Sequence, residues 1–299
     1  IREAAHREPS VLTTLAGRRS LREVVLDIVR AHAAGATSHG VRMDPASGLV
    51  WSPAHYTWMD TCNPCGTPRE GYPIDIQALW VSALEFAHEL EPASRYGELA
   101  VTARASVETL FWSASGFYSD CLHTQGYAPA ALAWGDDHLR PGQLFAINLG
   151  LTSSVSRNVS ALSACAGLLV PGALRTLAPR AVNHPLPVEW NGQMLHDPHQ
   201  PYHGQYTGVE ETHRKPAYHN GTAWPWLFPS YVEALLSVHG SQMKTHARCL
   251  MGSSAWLLQD GVLGQLPEII DGDAPHRLRG CGAQAWSASE WVRVWQMLD

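Results

Sequence analysis

The sequence predicts an all-α domain in which helical hairpins stack around an axis and long loops gather at one end to make a cleft. Three observations predict it. Seven segments carry apolar residues at helical spacing, alternating strand patterns are scarce, and the stretches 51–73, 118–148, 171–226 and 261–283 are long loops rich in Trp, Tyr, His, Asp and Pro. A compact domain keeps loops that long mainly for function, so the chemistry is expected there.

The first helix is expected over about 20–35. Ser20 and Glu23 have capping-box spacing, and Leu21, Val24, Ile28 and His32 then share one face. The next two follow from Ile76, Trp80, Ala83, Ala87 and Leu90, and from Ala100, Ala103, Val107, Leu110 and Phe111, each set bounded by Gly, Pro or polar clusters. Four more are expected over about 158–170, 227–239, 241–259 and 284–298. Neither an internal repeat nor a low-complexity linker interrupts the chain, so 1–299 reads as one domain.

Composition narrows the function classes. Charged residues make up 16% of the 299, below the roughly 25% of an average soluble domain, and hydrophobic residues make up 45%, which excludes a disordered chain. Net charge is −6, and the 19 Arg and 2 Lys form no run, so neither nucleic acid nor an anionic membrane is expected as a partner. The apolar stretch Ala164–Leu174 is broken by Pro171 and falls short of the ~20 residues of a membrane span. Ile1–Glu8 lacks the pattern of a signal peptide, and the absence of an initiator Met is read as the mark of a fragment. Six irregularly spaced cysteines fit a reducing compartment, and the cytoplasm is the expected location. The 12 Trp and 9 Tyr are faces on which sugars or other flat ligands can stack.

Three loop segments carry candidate chemistry. In the first, Trp58 stands beside Asp60, with Arg69 and Tyr72 soon after; an acid against an aromatic wall can have its pKa raised by desolvation, as a general acid needs. The bland reading makes Asp60 a helix cap or a partner of Arg69. The second places Glu268, Asp271 and Asp273 within six residues, ahead of His276. A calcium loop is disfavoured because its full ligand pattern is absent, and a solvated turn is the other bland reading. The third interleaves Tyr218, His219, Trp224 and Trp226, a mix suited to polar ligands with apolar faces. His203, His213 and His219 form no helical pair and no HExxH motif, and Cys62 and Cys65 lack a second pair, so no metal is expected. Phosphate loop, nucleophile elbow and dinucleotide fingerprint are all absent.

The segments GVRMDPASGLVWSPAHYTWMDTCNPCGTPREGYPIDIQALW, RPGQLFAINL, PGALRTLAP, RKPAYHNGTAWPW and GQLPEIIDGDAPHRLRGCGAQAWSASEWVRVW together resemble bacterial amylo-α-1,6-glucosidases, the glucosidase part of glycogen-debranching enzyme. The resemblance runs in order from about residue 24 to the end. It implies an (α/α)6 toroid of twelve helices with its active site in the funnel formed by loops on one face, of which this chain is the C-terminal part. The earlier half of the family, with a further sugar-site motif, has no match here, which leaves three expectations open: a chain that folds alone, one that pairs with a separate N-terminal half, or a piece of a longer polypeptide. Departures are Asp75 where relatives commonly have Glu, RPGQ in place of RPNQ, and Cys62 and Cys65 at a variable spot.

The resemblance implies hydrolysis of an α-1,6-linked glucose stub from a limit dextrin, without a cofactor. Related toroidal glycosidases invert the anomeric centre, so Asp60 is assigned as acid and Glu268 as base, with Asp271 and Asp273 as alternatives for the base. Inversion requires the two carboxyl groups to lie roughly 6.5–9.5 Å apart, whereas about 5 Å would favour retention. Trp58, Arg69, Tyr72, Gln77, Tyr218, His219, Trp224, Trp226, His276 and Gln284 are the candidates to hold the sugar, some as supports. Rival readings are a toroidal glucosidase or phosphorylase of another linkage, and a glycan-binding subunit that has lost catalysis.

Overall fold

The computed structural model describes residues 1–35, 37 and 39–299. Its helices are α1 (Arg2–Arg7), α2 (Leu21–Ala33), α3 (Ile74–Leu90), α4 (Tyr96–Leu110), α5 (Gln143–Asn148), α6 (Val155–Cys165), α7 (Lys215–Tyr218), α8 (Phe228–His239), α9 (Lys244–Gly252) and α10 (Ala285–Met297). The seven expected from periodicity are α2, α3, α4, α6, α8, α9 and α10. At the start of α2, Ser20 Oγ accepts from the Glu23 amide and Glu23 Oε2 accepts from the Ser20 amide at 2.7 Å, so two otherwise unpaired donors are satisfied. Helix α8 stops at Gly240, whose φ of +84° lies outside helical backbone.

Helix α3 packs on α2, α4 and α5, α5 on α6 and α8, and α8 on α6, α9 and α10. Helices α3, α5, α8 and α10 therefore form one continuous packed series, with α4, α6 and α9 as hairpin partners. Helices α3, α5 and α8 are the most buried, whereas α10 buries only Ser287 and Val294. Helix α3 buries Ile74, Ala78, Trp80, Val81, Leu84, Phe86 and Ala87, too broad a surface for one amphipathic stripe. This is a helical domain of stacked α/α hairpins, and its main core runs from Leu26 of α2 to Leu298 beyond α10. No helix among the described residues is long and apolar enough to cross a membrane.

The expected all-α character needs one correction, because the long loops carry short strands. Leu278–Arg279, Ile269–Ile270, Ala223–Trp224, Ala173–Arg175 and Leu169–Val170 form an antiparallel five-stranded sheet in that order. Gly71–Pro73, Cys121–His123 and Trp134–Gly135 form a three-stranded one. Strands of two or three residues are too short to show a period-two pattern, which is why they escape a reading by periodicity. Distant partners hold them: Ala223 pairs with both Ile270 and Arg175, and Tyr72 with Leu122. Gly71 sits at φ +131°, where a Cβ would collide with the Leu122 carbonyl.

Candidate active site

Three stretches of the chain, around Trp58, from His219 to Trp226 and at Trp286, bring an aromatic wall together. Trp58 presents its ring edge-on to His219, Trp224 and Trp226, at centroid distances of 5.2, 5.4 and 5.0 Å. His219 lies flat on Trp224 at 5.3 Å, and Trp226 stacks on Trp286 at 3.6 Å. Trp224 belongs to a sheet strand, Trp226 to the tight turn leading into α8, and Trp286 to the first turn of α10. Trp224 and Trp226 are buried, while Trp286 is 39% exposed and forms the rim. The Trp58 and Trp226 indole N–H groups and both His219 ring nitrogens have no hydrogen-bond partner in the protein.

Two carboxylates reach this wall. Asp60 Oδ1 lies 3.7 Å from His219 Nε2. Glu268 Oε1 accepts the Tyr218 hydroxyl, and its Oε2 accepts the Cys281 amide at 2.8 Å. Gly280, at φ +63°, leaves the room that carboxylate needs, since a Cβ there would strike Oε2. Tyr218 and His219 are chain neighbours whose rings lie 4.7 Å apart. Asp60 and Glu268, 208 positions apart in sequence, are thus each one contact from the Tyr218–His219 pair.

Burial pushes the His219 imidazole below its ordinary pKa, so it is neutral near pH 7. The His219 ring holds the Asp60 carboxyl below the ordinary carboxylate range. The sequence led us to expect the reverse. The aromatic wall does not cover Asp60, whose side chain is 70% exposed, so desolvation fails to outweigh the imidazole. Burial, and then the bond to Glu268, push the Tyr218 phenol upward, so it stays protonated and donates.

The bland readings of the acids also change. Asp60 lies outside any helix and is no partner of Arg69, whose guanidinium is buried against Asp75 and Asp120 at 2.7 Å each. Asp271 is no solvated turn residue: it is buried, accepts from Arg279 Nε and Nη2, and accepts the Tyr206 amide at 2.8 Å. Asp273 accepts the Tyr202 hydroxyl at 2.7 Å. Of the three acids in this loop, Glu268 is the one tied to the Tyr218–His219 pair.

Several expected sugar contacts are placed in the interior instead. Arg69 is 2% exposed and occupied as above; Tyr72 is fully buried and donates to the Ala128 carbonyl at 2.6 Å; Gln77 is fully buried and bonds the Val50 amide and carbonyl at 2.8 and 2.9 Å. These three brace the framework. Trp224 donates to the Tyr218 carbonyl at 3.1 Å, His276 bonds the Asp271 carbonyl at 3.0 Å, and half-exposed Gln284 accepts from Ser287 at 2.9 Å.

The sequence reading missed Asp120, Arg140 and Asn220. Arg140 is fully buried and donates to the carbonyls of Thr176 and His219, at 3.0 and 2.5 Å, and to Asn220 Oδ1 at 2.7 Å. Asn220 in turn donates to the Gly66 and Pro216 carbonyls and accepts from Thr67. The available signal was that burying charge in a chain so poor in charge requires partners. All six cysteines are free. Among the described residues, one group of three has ligand atoms close enough to share a metal ion: His123, Asp136 and His138.

A family model described as amylo-alpha-1,6-glucosidase matches residues 7–293. The glycogen debranching enzyme of Saccharomyces cerevisiae is 22% identical over 342 aligned positions, which cover 90% of this chain and 22% of that protein. The chain thus spans about a fifth of the length of that relative. Among solved structures, a sialidase aligns with a TM-score of 0.56 at 14% identity, covering 87% of this chain and 22% of its own. At that identity the likeness concerns the fold alone.

Proposed function

This chain belongs to the amylo-α-1,6-glucosidase family, and from that premise we propose that it hydrolyses α-1,6-linked glucose stubs at the branch points of limit dextrins, with inversion at the anomeric carbon. At the coarser level it is a glycoside hydrolase-type glucosidase domain related to glycogen debranching enzyme. The observation carrying the finer reading is the convergence of Asp60 and Glu268 on Tyr218–His219 beside an aromatic wall.

In this reading Asp60 gives its proton to the glycosidic oxygen as the bond to the anomeric carbon breaks. Glu268 takes a proton from the water that attacks the opposite face, and β-glucose leaves. The Tyr218 hydroxyl and the Cys281 amide orient the Glu268 carboxylate. Asp60 must carry a proton at that moment, although His219 holds its pKa down in the free chain. A sugar seated on the rim removes the water now solvating Asp60, and desolvation opposes the pull of His219. Trp286, backed by the buried Trp226 ring, offers a platform for the apolar face of the sugar. The substrate in this reading is a cytoplasmic α-glucan.

The test is proton NMR of a glucosyl-α-1,6-branched maltooligosaccharide during turnover. β-Glucose appearing before mutarotation, and its loss in Glu268→Gln, supports the reading. α-Glucose appearing first overturns inversion, and glucose 1-phosphate formed with added phosphate makes the protein a phosphorylase. Retained oligosaccharide binding without any turnover, unchanged in Glu268→Gln, favours a glycan-binding subunit.

A further inference from the structure

A second cluster of titratable groups lies on the three-stranded sheet, outside the chemistry proposed above. His123 ends the strand Cys121–His123, and Asp136 and His138 directly follow the partner strand Trp134–Gly135. The register that pairs His123 with Trp134 brings all three side chains to one sheet corner. Asp136 Oδ2 lies 2.8 Å from His123 Nε2 and 3.4 Å from His138 Nδ1, and the candidate ligand atoms are all within 4.8 Å of one another.

The hydrogen bonds around the cluster fix its protons. His138 Nε2 lies 2.9 Å from the His184 carbonyl, which can only accept, so Nε2 carries hydrogen. In the neutral ring, Nδ1 then turns a lone pair toward a carboxylate oxygen. A proton on Nδ1 or a metal ion must then stand between these two electron-rich atoms. The other Asp136 oxygen, Oδ1, accepts the Asp120 amide at 2.8 Å, which leaves Oδ2 aimed at the two imidazoles. Trp134 stacks on His123 at 4.5 Å and on His184 at 5.0 Å, fixing the plane of the first ring. Carbonyl and amide groups that orient ligating side chains in this way are typical supports of metal sites.

We propose that His123, Asp136 and His138 bind one divalent transition-metal ion of the zinc type, through His123 Nε2, His138 Nδ1 and Asp136 Oδ2. Ligands at about 2.0–2.2 Å in a tetrahedron stand roughly 3.3–3.6 Å apart, and Asp136 Oδ2 already lies 2.8 and 3.4 Å from the two imidazole nitrogens. Two imidazoles and one carboxylate suit zinc, cobalt or nickel, whereas magnesium and calcium prefer oxygen alone. On binding, the single Nε2 hydrogen of the neutral His123 ring moves by way of water to Nδ1, so no net proton is lost and the Nε2 lone pair faces the metal. The His123 side chain is 14% exposed, so the corner is open to solvent on that side, where water completes the shell. The ion braces the strand ends beside Asp120, which Asp136 holds through its amide.

The experiment uses the full chain carrying Cys62→Ser and Cys65→Ser, which removes the exposed CxxC thiols. The protein is stripped with chelator, dialysed and titrated with Co²⁺, followed by Zn²⁺ competition in the calorimeter. The expected result is one equivalent bound with visible ligand-field bands, and affinity more than about 100-fold weaker in His123→Ala, beyond the 10–100-fold loss of a merely supporting group. Melting of the metal-free His123→Gln protein stays close to the parent, because the amide can still donate to the buried Asp136 carboxylate. Absence of saturable binding in the parent, or equal binding in His123→Ala, overturns the proposal. So does an NMR spectrum showing hydrogen on both His138 ring nitrogens in the presence of Zn²⁺, since a proton then takes the place assigned to the metal. If His138→Ala fails to fold, His123→Ala and His123→Gln decide the matter alone.

Discussion

Around Arg69 the long loops bury Arg69, Asp75, Asp120 and Arg140 and close these charges on one another or on backbone carbonyls, whereas around Trp58 the same loops leave indole and imidazole nitrogens without protein partners. Both regions are rich in polar groups, and both lie in segments that periodicity marks as loops. Charge pairing separates them: Arg69 faces Asp75 and Asp120 at 2.7 Å each and Arg140 faces Asp120 at 3.7 Å, even though Arg69 Nε, Arg140 Nε and Asp120 Oδ2 make no aligned hydrogen bond. A buried ionic cluster with partners from residues 69, 75, 120 and 140 is framework, because removing any one member strands the others. A wall with unfilled donors beside an exposed carboxylate is prepared for something from outside.

Substituting one member of each region tests that distinction. Glu268→Gln is expected to lower kcat about 100- to 10,000-fold with little change in melting, measured as glucose release and by calorimetry. A loss of stability in step with activity would move Glu268 to the framework side. Arg69→Leu is expected to cost about 3–5 kcal/mol in urea unfolding, since two buried carboxylates lose their cation. Unchanged stability with a raised KM would instead return Arg69 to the sugar contacts first expected of it. Trp286→Ala removes a stacked ring worth about 0.5–1.5 kcal/mol, so oligosaccharide affinity should weaken by up to about tenfold while the fold persists. Affinity equal to that of the parent would take the rim out of the binding surface.

The smallest effect concerns pH. His219 lowers the Asp60 pKa, so His219→Asn lets the acid keep its proton to higher pH. The alkaline limb of kcat/KM against pH should therefore move upward. A limb that stays in place would show that Asp60 is not the titrating acid.

The legibility of these regions from sequence follows from the range of the interactions. The capping box at Ser20 and Glu23 and the face of α4 are local, and they could be read directly, whereas α2 buries Val25, Leu26 and Val29 instead of the face read for it and leaves Ile28 half exposed. Helix α5 escaped because it has six residues and buries Gln143, Leu144, Ala146 and Ile147, leaving no polar face to set a period. Asp60, Glu268, Trp58 and the Tyr218–Trp226 segment were visible as motifs, and the structure does bring them together. Arg69, Tyr72 and Gln77 looked like sugar contacts because their partners, Asp120, Ala128 and Val50, stand 27 to 56 positions away. Spacing along the chain cannot distinguish a side chain facing a ligand from one facing such a partner. Arg140 lay inside a quoted motif, yet its role depends on carbonyls at 176 and 219.

The Asn220 clamp has a consequence for how this surface can change over time. Met59 is fully buried, and Gly66 and Thr67 are pinned to Asn220, so the chain from Asp60 to Cys65 is a bridge between two fixed piers. Cys62, Asn63 and Cys65 on that bridge face solvent. Insertions or replacements there can re-aim one carboxylate while Tyr218 and Cys281 keep the other in place. The bridge is therefore where a change of glycan preference costs the least folding stability, and the natural place to build a library of loop variants.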